Sequence, residues 1–209
     1  MIEIRAVEKD SKHRSRYLIF AGGEEPILSV HEDLLIRHTL FKGQLLTESQ
    51  IEEIRSEDER YRAYAMAVYY LGFKPRTGKQ IEQYLQRKLI AQDHINYTIE
   101  RLEKEHIVDD EQYAMQFAAQ RMKSSHKGRR YIQQELMQRG VSKTAALAAT
   151  SAIDSEMELN AAISKATKKW RTIKGEPFER RRKLAAFLIR RGFPVDIIKA
   201  AVKSAEENA

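Results

Sequence analysis

Asp109-Asp110-Glu111 is the row of residues in this chain best equipped for chemistry. Adjacent carboxylates can hold a divalent ion or divide the roles of acid and base. These three, however, stand just ahead of an apolar-periodic run, where Asp and Glu cap a helix and complement its positive end. They are read as caps. His94, His106 and His126 show neither the i, i+4 pairing nor the intervening Glu of a zinc helix. Arg76-Thr77-Gly78-Lys79-Gln80 contains Gly-Lys without the spacing of a phosphate loop. The tyrosines at 61, 64, 69, 70, 113 and 131 could stack on bases, but their helical spacing suits packing. The expectation is therefore a protein that is not an enzyme, with no catalytic residues, metal, cofactor or small-molecule substrate.

The basic residues are more informative. Between 121 and 139, Arg121, Lys123, Lys127, Arg129, Arg130 and Arg139 face one acid, Glu135. From Lys165 to Arg191 eleven Lys and Arg, among them Arg180, Arg181, Arg182, Lys183, Arg190 and Arg191, oppose Glu176 and Glu179. Earlier come Lys74, Arg76, Lys79, Arg87 and Lys88. Cations at a helix C-terminus are favoured by its dipole, which accounts for Arg139, Arg190 and Arg191. At a helix start the dipole opposes them, so Arg129–Arg130 and Arg180–Arg182 point to a polyanionic partner.

These clusters need elements to place them. "RRYIQQELMQRG" (129–140) returns as "RRKLAAFLIRRG" (181–192). Aligning Leu136 with Leu188, and one period earlier with Leu85, brings Ile81, Ile132 and Leu184 into register. Ile95, Ala146 and Ile198 follow ten residues on, then Ile99, Thr150 and Val202, then Leu102, Ile153 and Ala205. That spacing is one face of a following helix. A preceding helix recurs as "AYAMAVYYLG", "QYAMQFAAQR" and "NAAISKATKKW". The unit is three helices in about 50 residues, repeated three times.

Gly140 and Gly192 stop helices, Thr47–Gln50 and Thr77–Gln80 are capping boxes, and Asp93 and Ser142 are N-caps. Pro194 belongs in the first turn of a last helix. Ahead of the repeats, "RYLIF" and "ILSV" around "AGGEEP" read as a hairpin, and "MIEIRAV" as a third strand. The fold class is mainly α: an elongated, curved tandem array of three three-helix repeats after a small β-hairpin-containing module. The expected divisions are 1–59, 60–108, 109–154 and 155–209.

Composition agrees. Of 209 residues, 42 % are apolar and 32 % charged, with no Cys, so disulfides and thiolate metal sites are excluded. The net charge of +7 is uneven. Residues 1–59 carry 8 basic and 13 acidic side chains, net −5, and residues 60–209 carry 29 and 17, net +12. There is no leader-like start and no apolar run long enough to span a bilayer, which suits a cytoplasmic protein without membrane contact.

Three motifs resemble the RecX regulatory proteins of bacteria: Leu71, Arg76, Thr77, Leu85 and Leu89; Asp109, Asp110, Glu111, Tyr113 and Ala114; and Lys127, Gly128, Ile132, Glu135, Leu136, Arg139, Gly140 and Val141. The likeness runs from 60 to 205, and the first part resembles the N-terminal extension of longer Gram-positive-type members. The resemblance implies binding to the RecA recombinase and its nucleoprotein filament, damping of its ATPase and strand exchange, and so regulation of DNA repair and recombination. Weak nonspecific binding of single- or double-stranded DNA is a further implication. The alternative is a helix-turn-helix-like protein acting directly on nucleic acid. Basic positions that repeat across three units favour tracking a regular polymer over reading one site.

Overall fold

A computed structural model describes residues 1–207 and divides the chain into two compact units. One contains residues 1–73 and 82–101; the other contains 74–81 and the chain from 102 onward. Among the described residues there are five short strands and ten helices.

In the first unit, β1 (Ile2–Glu3) is followed by β2 (Ala6–Lys9), β3 (Arg16–Phe20) and β4 (Leu28–His31). Strands β2, β3 and β4 form an antiparallel sheet in that order, so the hairpin and its third strand form as expected. Helix α1 (Glu32–Arg37) follows, and β5 (Leu45–Leu46) pairs with β1. Ile4, Ile19, Leu28, Val30, Leu34 and Leu46 form the core with Ile51 and Ile54 of helix α2 (Glu48–Leu71).

The Thr47–Gln50 box opens α2 with both reciprocal bonds. That helix continues through residues 59 and 60, where the charge balance changes sign. Asp58 is buried inside it and accepts from Arg16 Nη2 at 2.5 Å and His31 N at 2.9 Å, tying the sheet to the helix. Tyr61, one turn on, stacks on His31 at 4.4 Å.

Helix α3 (Gly78–Arg87) starts in the second unit and ends in the first, which closes with α4 (Gln92–Lys104). Asp93 lies in the first turn of α4 rather than at its cap, because the helix starts one residue earlier. The second unit continues through α5 (Asp110–Ser125), α6 (Arg129–Gln138) and α7 (Lys143–Ser151). After these come α8 (Ser155–Trp170), α9 (Pro177–Arg190) and α10 (Val195–Glu207). Pro194 precedes α10 instead of entering its first turn; its carbonyl accepts from Ile198 N at 2.9 Å.

The repeat register holds in burial. Leu85, Leu136 and Leu188 are fully buried, as are Ile81, Ile132 and Leu184. Ile95, Ala146 and Ile198 are buried in the third helices, and so are Leu102, Ile153 and Ala205. Helices α5 to α10 share one core, which includes Trp170 and Phe193. Replacing Leu136 by Ala is expected to cost about 3 kcal/mol, the transfer of the three carbons beyond Cβ plus the cavity they leave. An unchanged denaturant midpoint would refute this register.

The repeated Arg-Gly endings have a specific use. Gly140 and Gly192 each follow a helix with φ of +96° and +83°, a left-handed conformation that a Cβ opposes. Each also receives the start of an earlier middle helix. Gly128 N donates to the Arg191 carbonyl at 2.9 Å, and Arg130 N to the Gly192 carbonyl at 3.1 Å. A Cβ on Gly192 would overlap the backbone of Tyr131, and one on Gly128 would overlap Gly192. At the equivalent place, Thr77 Oγ1 donates to the Arg139 carbonyl at 2.5 Å, and the Lys79 stem lies where a Gly140 Cβ would go.

Carboxylates complete both seats. Asp110 Oδ1 accepts from Gly78 N at 3.0 Å, and Glu158 Oε1 from Arg129 N at 2.7 Å. Orphan amides at the starts of the first two middle helices, α3 and α6, are thus capped by the first helix of the repeat that follows. Burial raises the Asp110 carboxyl above its ordinary range, against the Gly78 bond, which lowers it. Within the acidic row, Asp109 caps α5 by accepting from Gln112 N.

Candidate basic binding surface

The expected cations fall into classes when placed on these elements. Arg129–Arg130 open α6 as expected, but Arg180–Arg182 lie in the second turn of α9, which Pro177 starts, so the helix dipole no longer opposes them there. In each pair the first Arg is held by a carboxylate. Arg129 Nε donates to Glu158 Oε2 at 2.6 Å, and Glu158 is fully buried. Arg181 is bidentate on Glu206, at 2.6 to 3.0 Å. The second Arg is free: Arg130 and Arg182 are exposed and form no ion pair among the described residues. The register places Lys79, also exposed, at the same position of α3. One exposed cation therefore recurs once per repeat.

The cations at the helix ends recur differently. Lys88 Nζ lies 5.8 Å from the Tyr84 ring centroid, Arg139 Cζ 4.7 Å from Phe117, and Arg191 Cζ 5.1 Å from Phe187. Cation–π contact adds to the favourable helix dipole there. Arg190 is exposed, and Arg87 Nε returns to the Gln83 carbonyl of its own helix at 3.1 Å.

Other members are engaged locally. Lys127 sits 3.5 Å from the Tyr131 ring centroid and 3.8 Å from Glu135. Arg121 grips that same Glu135 with two bonds of 2.6 and 2.7 Å, which hold its carboxyl below the ordinary range. Arg180 covers buried Trp170 at 4.0 Å, and Lys183 pairs with Glu179 at 3.5 Å. Lys123 is exposed beside Met122, Met157 and Asp154.

Arg76 and Arg139, distant in sequence, meet in a cleft of about 420 Å³ with Lys74, Gln80, Tyr113 and Phe117. Sequence reasoning assigned the two arginines to the surface, read Tyr113 as packing and did not single out Phe117. The shared signal was "QYAMQF", whose ring positions are Ala161 and Lys165 in the third repeat. A second concave patch gathers Phe178, Arg181 and Arg182 with Lys199 and Lys203, two cations that sequence reasoning missed because no repeat of the pattern marks them.

A helical-repeat protein in which an exposed cation recurs at one equivalent position of each repeat, preceded by a small β module, is the class that this fold and surface define. Family models describe residues 63–102, 109–149 and 156–202 as the first, second and third three-helix domains of RecX. The chain belongs to the RecX family of regulatory proteins. It is 30 % identical over 203 residues to the regulatory protein RecX of Bacillus cytotoxicus, covering 96 % of this chain and 75 % of that one. The RecX of Oceanobacillus iheyensis is 38 % identical over 145 residues, 68 % of this chain and about half, 53 %, of that protein's length. A crystal structure of regulatory protein RecX matches with a TM-score of 0.77 at 24 % identity, over 95 % of this chain and 98 % of that one. RecX from Lactobacillus salivarius matches with 0.66 at 23 %, over 72 % and 99 %. These two carry the fold. Among the described residues, no helix is long and apolar enough to cross a membrane.

Proposed function

We propose that this protein binds the RecA recombinase and its filament on DNA, and lowers RecA's ATP hydrolysis and strand exchange in the cytoplasm. Family membership supports the reading. The observation that carries it is the recurring exposed cation, Lys79, Arg130 and Arg182, one per three-helix repeat. A regular polymer offers the same anionic feature again and again, and a repeat protein meets it with equivalent residues. Within the second unit Arg76, Lys123, Lys127, Arg139, Lys183, Arg190 and Arg191 add to these cations, while Arg129, Arg180 and Arg181 hold local geometry; Arg87 and Lys88 are the further cations of the first unit. The repeats are the binding part of this reading.

The test separates the two members of each Arg pair. Arg130→Glu with Arg182→Glu changes exposed charges, so the thermal midpoint stays near wild type. Each substitution turns an attraction into a repulsion, and half-inhibition of RecA's DNA-stimulated ATP hydrolysis should need at least about tenfold more protein. A folded double variant that inhibits at the wild-type concentration would overturn the assignment.

A further inference from the structure

We propose that the concave face between α9 and α10 is a docking site for an acidic amphipathic helix of a partner protein. Ala185 of α9, with Ile198 and Val202 of α10, makes an apolar floor. Phe178 lines the same face and leaves 76 % of its surface in water. An aromatic ring held out beside an apolar floor suits the anchor of a protein contact, because it brings a large area at little cost in conformational freedom. From Ile198 to Glu206 α10 runs for roughly 12 Å, so the face matches about two turns of an incoming helix.

Both helices add cations to that floor. Arg182 comes from α9, and Lys199 and Lys203, one turn apart, come from α10; all three are exposed. Arg182 and Lys199 form no ion pair among the described residues, and Lys203 has a surface pair with Glu207 at 3.8 Å. Glu206 is the one carboxylate of the lining, and Arg181 engages it through three bonds of 2.6 to 3.0 Å. A ligand that suits both the floor and the cations needs an apolar stripe edged by carboxylates, which is the pattern of an acidic amphipathic helix. Nucleic acid would use the cations alone. Its phosphates gain nothing from Ile198 and Val202, and a single ring leaves successive bases without a stacking platform.

The other repeats provide an internal contrast. With Ile95, Ala146 and Ile198 in register, Lys199 and Lys203 correspond to Asn96 and Glu100 in the first repeat and to Leu147 and Ser151 in the second. Phe178 corresponds to His126 in the second. Arg182 belongs to the row of cations that recurs, whereas the two lysines and the ring occur in the third repeat alone. The face is therefore an addition to that row and not one more step of it.

The experiment uses the full chain without RecA, so its outcome and that of the inhibition assay are independent. The probe is a fluorescent helical peptide of about 14 residues, with Leu at i, i+3, i+4 and i+7 and Glu along both edges of that stripe. A second peptide of the same composition in scrambled order keeps the charge and loses the stripe. Anisotropy should show the striped peptide binding at least about tenfold tighter than the scrambled one. Lys199→Glu with Lys203→Glu should weaken the striped peptide at least about tenfold, because each attraction becomes a repulsion. Both positions are exposed, so the thermal midpoint stays near wild type. Phe178→Ser should weaken the striped peptide and leave the scrambled one unchanged. Equal affinity for the two peptides overturns the site, as does a lysine variant that binds like wild type. So does oligothymidylate that displaces the peptide from the wild-type chain and binds the lysine variant less well, since the face would then be a nucleic-acid contact. Self-association in sedimentation velocity that the lysine variant abolishes also overturns it, because a second copy would then be the occupant.

Discussion

Replacing Gly192 by Ala is expected to dismantle the joint between the second and third domains, at a cost above about 4 kcal/mol. The left-handed conformation alone costs an L-residue about 1–2 kcal/mol. The new Cβ overlaps the Tyr131 backbone, and no side-chain rotation relieves that, because the obstacle is main chain. Moving it breaks the bonds from Gly128 N to Arg191 O and from Arg130 N to Gly192 O, each worth about 0.5–1.5 kcal/mol net. Hydrogen exchange reads the outcome directly: the amides of Gly128 and Arg130 should lose protection while those of the β2–β3–β4 sheet keep theirs. A denaturant midpoint within experimental scatter of wild type would show that the seat is not formed in solution.

Glu158→Ala is the second large effect, about 3 kcal/mol. Its carboxylate is fully buried and satisfies both the Arg129 amide and the Arg129 guanidinium. Deleting one partner of a buried pair leaves the other uncompensated, at about 3–5 kcal/mol. The lower end applies here because the Arg129 side chain is 29 % exposed and recovers some hydration. Glu158→Ala combined with Arg129→Ala should cost less than the sum of the singles, by about 0.5–3 kcal/mol, as expected of groups in contact. Strict additivity would remove the pair from the account. Both Glu158 variants should leave the first unit's stability unaltered, since its core is built from other residues.

The helical register was legible because it is local. Leu85, Leu136 and Leu188 stand at fixed spacings from Ile81, Ile132 and Leu184, and periodicity alone turns those positions inward. The capping boxes at Thr47 and Thr77 were legible for the same reason, their partners lying three residues away. The roles of the paired arginines were not. Arg129 and Arg130 are neighbours of one type, and what separates them is Glu158, 29 residues on, an acid whose burial no local pattern announces. The pairing of Ile2 with Leu46 is likewise set by tertiary packing, since each strand is only two residues long. The dipole argument placed Arg129–Arg130 at a helix start and misplaced Arg180–Arg182, because Pro177 starts α9 a turn earlier; it also lacked the compensating charge that arrives from a later helix. The cleft required Arg76 and Arg139 to meet through the Thr77–Arg139 bond, a contact between residues 62 apart.

The glycine seat also sets an order of events on the ribosome. Gly128 and the two arginines after it leave the exit tunnel before Glu158, and well before Arg191 and Gly192, have emerged to meet them. At about 5–20 residues per second, the roughly 60 residues in between take on the order of 3–12 s. For that interval the nascent second domain carries open backbone donors at the start of α6, beside Lys127 and both arginines. It is at that stage a half-finished surface, available to chaperones and to any polyanion nearby, and it closes only when the third domain arrives to cover it.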